Sequence, residues 1–362
     1  GLSLEILGST TPINEAVAYA NLSTTADVTV DDTAKLTSTA GALSVTANAD
    51  TRLEIGTATS KIQLIDFLNN QTASKVIPSA AAVVGLADSE ASVNISGDLT
   101  AAGDLTIQSV DNLDVSLSAT SSTMNSDHVQ TAFTFGQFAG NSSVTVDKDA
   151  TVTITGTAGT YDYTVQALQT NAVETTAEAS AGRNSYGGLA FNYTELNTGS
   201  DLTIDTGLAG VAKNVVLKSD NNTTSYDVKS DNAVKISGVM DKATSFVSSL
   251  STNFLNTLFD KSWNSVNSSY SSPSARVGGA VAVVKGSQTS DLTLNPTASS
   301  VYSMTGEEGM DISSRAQIWD HHFIANSSVR NEADESGNRS KLQGSLALLV
   351  ELSGNAEHTA QS

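Results

Sequence analysis

The chain has 362 residues, of which 39% are hydrophobic and 15% are charged, and it contains no cysteine. Its formal net charge of -20 disfavours nucleic acid and anionic membranes as partners, because both need a basic surface. The lack of cysteine excludes disulfide bonds, thiolate metal sites and cysteine nucleophiles.

A strand of small apolar residues recurs along the chain. It first occupies residues 16–20 and returns at five later places, which begin near Ala80, Ala132, Gly188, Gly279 and Gly344. A second strand with alternating apolar residues follows each copy that has enough sequence after it, as at Val28/Val30 and Val93/Ile95. The unit recurs at roughly 50 to 65 residues, with one interval of about 90, which is typical of stacked repeats.

Strings of such strands fit either an antiparallel sandwich or a parallel β-helix. The Asn-Gly and Asp-Gly pairs that mark two-residue hairpins are absent, while the connections carry single glycines, as at 96–98 and 102–104. Aromatic residues make up only 5% of the chain, and a narrow β-helix interior has little room for rings. We therefore predict an all-β, right-handed parallel β-helix over residues 1–362, as one elongated segment of a longer repetitive protein. At roughly 22 to 25 residues per coil, it would have about a dozen coils and a length of roughly 60 Å.

Two interruptions of the strand pattern are predicted to be helical. One is a helical and loop insertion over 236–274, whose amphipathic part spans 239–263, and the other is shorter and lies near 61–69. Both come just before a small-residue strand, where other units carry polar loops. We expect the longer helix to pack on the flank of the β-helix and cover sheet surface. Docking of another subunit or of a host partner is the alternative.

No motif for nucleotide binding, zinc hydrolysis or a serine nucleophile is present in the sequence. We therefore predict no catalytic, cofactor-binding or metal-binding residues. The one local cluster with acid–base or metal-binding character is Asp320-His321-His322. Because neighbours in a strand point to opposite faces, the two histidines could not easily share a metal, and we expect a structural or surface role.

Two tight acidic pairs are predicted to be solvated turns. They are Asp31-Asp32 and Glu307-Glu308. Weak binding of a divalent cation is the alternative for such pairs, but the Gly-Gly-x-Gly-x-Asp repeats of calcium-binding β-helices are absent.

The repeated phrases resemble the repeats of bacterial filamentous adhesins, both filamentous-haemagglutinin-like and leukotoxin-family adhesins. The matching pieces are Ala-Val-Ala-Val-Val at 280–284 with Ser-Asp-Leu-Thr-Leu at 290–294, and Gly-Asp-Leu-Thr-Ile at 103–107. This resemblance covers nearly the whole chain except the two inserts. It implies an extracellular β-helical shaft at the bacterial cell surface, with adhesion or filament roles.

The sequence thus favours a non-enzymatic structural or adhesive segment of a long extracellular filament, without cofactors. Its expected partners are neighbouring β-helix repeats of the same or identical chains, and a host or neighbouring-cell glycan or protein, but neither nucleic acid nor a membrane. A self-assembling filament subunit is one alternative. Another is a β-helical glycan-binding or polysaccharide-degrading protein, for which the few aromatic candidates are Trp263, Trp319, Tyr161 and Tyr163.

Overall fold

The computed structural model describes residues 14–60, 77–123, 128–181, 187–207, 209–232, 277–295, 303–327 and 342–360. Within these ranges the chain is all β, and no helix is long and apolar enough to cross a membrane. The helices predicted near 61–69 and at 239–263, with the surrounding insertion 236–274, lie outside the described residues.

In the part of the chain that the structure describes, fifteen strands form three sheets. Sheet A contains β1 (Asn14–Val30), β4 (Ile77–Ile95), β7 (His128–Val146), β10 (Gly187–Ile204), β12 (Val277–Leu294) and β15 (Leu342–Ala360), in that order. Sheet B contains the short strands β2 (Lys35–Ser38), β5 (Asp98–Ala101) and β8 (Thr151–Ile154). Sheet C contains β3 (Leu43–Ser60), β6 (Leu105–Thr123), β9 (Tyr163–Ala181) and β11 (Ala209–Asn232), and then β13 (Ser303–Ile318) and β14 (His321–Ser327), which both pair with β11.

Every strand pair within the three sheets is parallel, as the sequence predicts. The chain runs along sheet A, turns through sheet B or a loop, and returns along sheet C before it enters sheet A again. We call one such circuit a coil. Stacked parallel strands in this order are consistent with a parallel β-helix, and its right-handedness stays a prediction.

The strand register confirms the predicted repeat. Successive strands of sheet A pair at offsets of 65, 51, 58 and 90 residues from β1 to β12. The predicted coil length is wrong, however, because one coil takes the whole unit rather than roughly 22 to 25 residues. Sheet A therefore has six strands, and the distance between its two outermost strands is about 24 Å along the stacking direction. Along the strand direction, its strands of 17 to 19 residues are about 60 Å long.

The coil length was misjudged because polar stretches lie inside continuous strands. Residues 87–91 combine polar and small residues like a connection, yet they form the middle of β4. Ser89 points between the sheets, is 1% exposed, and accepts a hydrogen bond of 2.8 Å from the Thr51 hydroxyl. A buried polar side chain with a partner does not interrupt a strand.

The corners of the coil contain the single glycines that the sequence predicts. Gly97 lies between β4 and β5, and a Cβ atom there would be 2.3 Å from the backbone oxygen of Asp31 in the coil below. Gly103 lies between β5 and β6, where a Cβ atom would be 2.8 Å from the backbone of Gly41. Glycine is therefore required by the close approach of stacked corners.

The space between sheets A and C holds two apolar clusters. The cluster near sheet B includes Val93, Ile107 and Leu202, and the cluster at the far end includes Val83 and Leu117. Their members point inward from alternate positions of the long strands, which is the expected pattern for a two-sheet core.

A seam of buried polar side chains separates the two clusters. Its serine rows join the sheets through hydroxyl pairs, Ser142 to Ser109 and Ser200 to Ser219, both at 2.9 Å. Beside them, the Asn171 amide donates to the Asn221 side-chain oxygen at 3.1 Å. Because parallel coils stack equivalent positions, a polar row can satisfy itself along the stack.

Asp111 is the acidic member of this seam. Its side chain accepts a hydrogen bond from the Ser89 hydroxyl, and the residue is fully buried in β6. Burial raises the pKa of Asp111 from 3.8 to about 6, and hydrogen bonds from Ser89 and Gln169 offset this only in part. The ionised form is thus disfavoured in the folded chain.

We predict that Asp111→Asn stabilises the protein at pH 7.5. Since the folded-state pKa of Asp111 is raised, wild-type stability should fall as the pH increases from about 4 to about 6. The variant should lack this loss and gain on the order of 1–3 kcal/mol in the free energy of unfolding at pH 7.5. Urea unfolding at pH 4 and pH 7.5 measures both. Asp114→Asn, at an exposed position of β6, is the matched control. A variant that is equally destabilised at both pH values would contradict the prediction.

Candidate functional site

The histidine cluster lies on the exposed surface of the last described coil. His322 Nδ1 is 2.9 Å from Asp227 Oδ1 and 3.5 Å from Asp320 Oδ1. The His321 ring instead lies 5.7 Å from the Phe323 ring, centroid to centroid. The two imidazoles are neighbours in β14 and point to opposite faces, so they contact different partners.

The two acidic pairs differ in their structure. Asp31-Asp32 forms the predicted exposed turn, where the backbone amide of Asp32 donates to Asp31 Oδ1 at 2.8 Å. The turn predicted for Glu307-Glu308 is wrong, because both residues lie within β13. Glu308 there pairs with Lys213 at 3.5 Å.

The aromatic candidates from the sequence do not lie in one groove. Tyr163 is 1% exposed in the core, Tyr161 is half-buried beside Gly156, and Trp319 is 67% exposed between β13 and β14. Trp263 lies outside the described residues.

A different set of rings lies on the outer face of sheet A. Side chains alternate along each strand, so every second residue points away from sheet C. The register aligns ten of these into two rows near the beginning of the strands, and we call them the outer apolar patch: Val17, Tyr19, Ala82, Val84, Phe133, Phe135, Phe191, Tyr193, Val281 and Val283.

Two aromatic contacts join strands within the outer apolar patch. The rings of Phe135 and Tyr193 are stacked, with centroids 5.2 Å apart and planes at 8°. The rings of Phe133 and Phe191 are tilted at 6.5 Å. Both contacts follow from parallel stacking, which places these residues directly opposite each other on β7 and β10.

A carboxylate with four hydrogen-bond donors lies at the edge of this patch. Glu195 Oε1 accepts from Lys285 Nζ at 2.8 Å and from Asn197 Nδ2 at 3.0 Å. Glu195 Oε2 accepts from Tyr193 OH at 3.0 Å and from Gln137 Nε2 at 3.1 Å. Register supplies the partners, since Gln137, Glu195 and Lys285 occupy one row of sheet A.

These donors determine the ionisation of Glu195. Its burial alone would raise its pKa, but hydrogen bonds from Lys285, Asn197, Gln137 and Tyr193 lower the pKa to about 2. Burial, together with the neighbouring Glu195 charge, raises the pKa of the Tyr193 hydroxyl above its ordinary value. Glu195 is therefore a fixed negative charge at neutral pH, suited to holding a cation or a hydrogen-bond donor in place rather than to giving up a proton.

Sequence reasoning missed this site because its members are far apart in the chain. Gln137 and Lys285 lie 58 and 90 residues from Glu195. The available signal was the repeat itself, because aligning the small-residue strands at 132, 190 and 280 places the three residues in one column.

Three comparisons with known proteins give no match. No protein-family model, no curated protein and no solved structure matches the chain. The class that the structure itself defines is an all-β repeat chain of stacked parallel strands. Membership of the filamentous adhesins therefore stays a proposal.

We predict that Glu195→Gln destabilises the protein at pH 7. The substitution replaces an ionised acceptor of four hydrogen bonds with a neutral amide, at an expected cost of about 1–3 kcal/mol in the free energy of unfolding. Because the folded-state pKa of Glu195 is depressed, its contribution should be lost as the pH falls from about 4.5 towards 2, and the variant should lack that part of the acid sensitivity.

Thermal and urea unfolding between pH 2.5 and 7 check this prediction. Glu90→Gln, at an exposed position of the same face, is the control and should change little. Adding Lys285→Met to Glu195→Gln should recover part of the loss. Equal effects of the two Glu→Gln substitutions would contradict the proposed role of the cluster.

Proposed function

We propose that the chain is a non-enzymatic structural or adhesive segment of a long extracellular bacterial surface filament. The observation that carries this proposal is the unbroken parallel stacking of six strands in sheet A, with matched stacking in sheets B and C. Each coil supplies the template for the next one, so the same arrangement can extend along one axis. A shaft needs this kind of repetition.

The two ends of the stack also support the proposal. Among the described residues, β1 and β3 at one end each pair with a strand on one side only. At the other end the same is true of β15 and β13. An unpaired strand edge offers backbone donors and acceptors to another strand. Further coils of the parent protein are the proposed occupants of these edges.

End-to-end assembly of identical chains is the second candidate function, and the same unpaired edges favour it. The third candidate, glycan binding or polysaccharide degradation, draws on the stacked Phe135 and Tyr193 rings beside Glu195. Aromatic faces and fixed polar groups are typical of sugar-binding surfaces. Retaining and inverting hydrolysis use two carboxylates, whereas the Glu195 cluster provides one.

Electron microscopy of the chain separates the first two candidates. We expect isolated particles about 60 Å wide at low concentration, without long polymers. Filaments that grow with concentration would replace the passive-shaft proposal with self-assembly.

A glycan array and a polysaccharide depolymerisation assay test the third candidate. Binding without turnover would be compatible with an adhesive role. Release of reducing ends would overturn the non-enzymatic proposal. Tyr193→Ala should abolish any glycan binding that uses the ring stack, while Trp319→Ala, at an exposed site on the far coil, serves as the comparison.

A further inference from the structure

The large apolar side chains that remain exposed in the described part of the chain lie at the two ends of the stack. On the first coil they are Val17, Tyr19 and Leu36, and near the far end they are Val211, Met310, Ile312, Trp319 and Ile324. Exposed apolar groups that are concentrated in one region indicate a contact surface. Most of these side chains belong to the far end.

Met310 and Ile312 belong to rows that form the core. In the register of β11 and β13, Met310 pairs with Val215 and Ile312 pairs with Leu217. Val215 is 1% exposed and Leu217 is 3% exposed, and both lie in the apolar cluster near sheet B. Paired residues of parallel strands point to the same face, so Met310 and Ile312 point to the core side of sheet C. They are nevertheless 49% and 44% exposed.

The same row is closed at the other end of the stack. The row that ends at Ile312 begins at Val45 of β3 and continues through Ile107 and Val165. Val45 is only 6% exposed, although β3, like β13, has a neighbour in sheet C on one side only among the described residues. A terminal position alone therefore does not account for the exposure of Ile312. This part of the core is covered at the first end and open at the far end.

We propose that the open far end binds one added β-strand, which pairs in parallel with β13 and packs apolar side chains on Met310 and Ile312. Within the described residues, one edge of β13 is unpaired and can supply the backbone donors and acceptors. Parallel pairing of the added strand continues the pairing of β13 with β11 and of β11 with β9. The proposal rests on the proposed shaft, because the strand belongs to the next coil of the parent protein.

The rows of sheet C specify the sequence of the added strand. Leucine is expected opposite Met310, valine or isoleucine opposite Ile312, and alanine or serine opposite Ser314, because the first two coils carry these residue types in the same rows. The members of these rows in β3 are Leu43, Val45 and Ala47. A peptide with the sequence of residues 43–53, Leu-Ser-Val-Thr-Ala-Asn-Ala-Asp-Thr-Arg-Leu, is therefore a suitable probe.

The polar face of the added strand is specified by charge. Arg315 is the last member of an outer row in which it follows Asp220, whose carboxylate it attracts. In the expected register, the peptide places Asn48 opposite Arg315. Replacing this asparagine with aspartate in the peptide should tighten binding about two- to fivefold at low salt, which is the size of effect expected of an exposed ion pair.

Binding of the fluorescently labelled peptide to the whole chain tests the proposal. Fluorescence anisotropy should show saturable binding, and hydrogen exchange should show added protection of amides in β13 but not in β6. Ile312→Asp should weaken binding about tenfold or more, because it places a charge in an apolar contact. The matched control is Ile324→Asp, since Ile324 is also 44% exposed but pairs with Lys229 on the outer face, beyond the reach of the peptide.

A second peptide of identical composition controls for the phase of the strand. In it, Leu43 exchanges places with Ser44, and Val45 exchanges places with Thr46. This exchange turns the apolar side chains to the outer face, so the second peptide should not bind.

Three results would overturn the proposal: no binding of the first peptide, equal binding of both peptides, or equal effects of the two Asp substitutions. Protection of β13 that rises with protein concentration in the absence of peptide would assign the edge to a second copy of the chain and overturn it as well. None of these results by itself decides the shaft proposal, which electron microscopy tests separately.

Discussion

In-register parallel stacking is the constraint on which the rest of this structure depends. Equivalent residues of successive coils lie about 4.8 Å apart, so each row must be compatible with itself. Serines of sheet A achieve this by hydrogen bonding to serines of sheet C, and Asn171 of β9 donates to Asn221 of the neighbouring strand β11. Aliphatic and aromatic rows achieve it by packing. Like charges stacked in one row repel each other, as Asp201 and Asp291 do on β10 and β12, whereas Glu195 is followed in its row by Lys285.

Glu195 and Asp111 show how the surroundings of a carboxylate determine its ionisation in this fold. Both are buried, and burial favours the neutral form of each. Glu195 has a lysine and three neutral donors, so its pKa falls to about 2, whereas Asp111 has neutral donors and the nearby charge of Asp50, and burial raises its pKa to about 6. Glu195 therefore keeps its negative charge at neutral pH, whereas the ionisation of Asp111 in the seam changes near pH 6.

The sequence predicted the fold class and the repeat because both depend on local patterns. Alternation of apolar residues, glycine at the corners and the absence of hairpin turns led to parallel stacking, and the register agrees with the predicted spacing. Coil length was not predictable in this way, because a buried Ser89 and an exposed loop serine look alike until the opposite sheet supplies a partner. The Glu195 cluster was missed for a similar reason, since only the register brings its three row members together.

Unequal spacing between the coils has a practical consequence. Offsets of 51, 58, 65 and 90 residues all lead to the same parallel pairing, and the difference between 58 and 90 arises largely between β11 and β12, at the corner before sheet A. The number of residues at that corner can therefore change while the strands of sheet A keep the same parallel register. Foreign peptides grafted between Thr123 and His128 should be displayed from one flank without altering the scaffold that carries them.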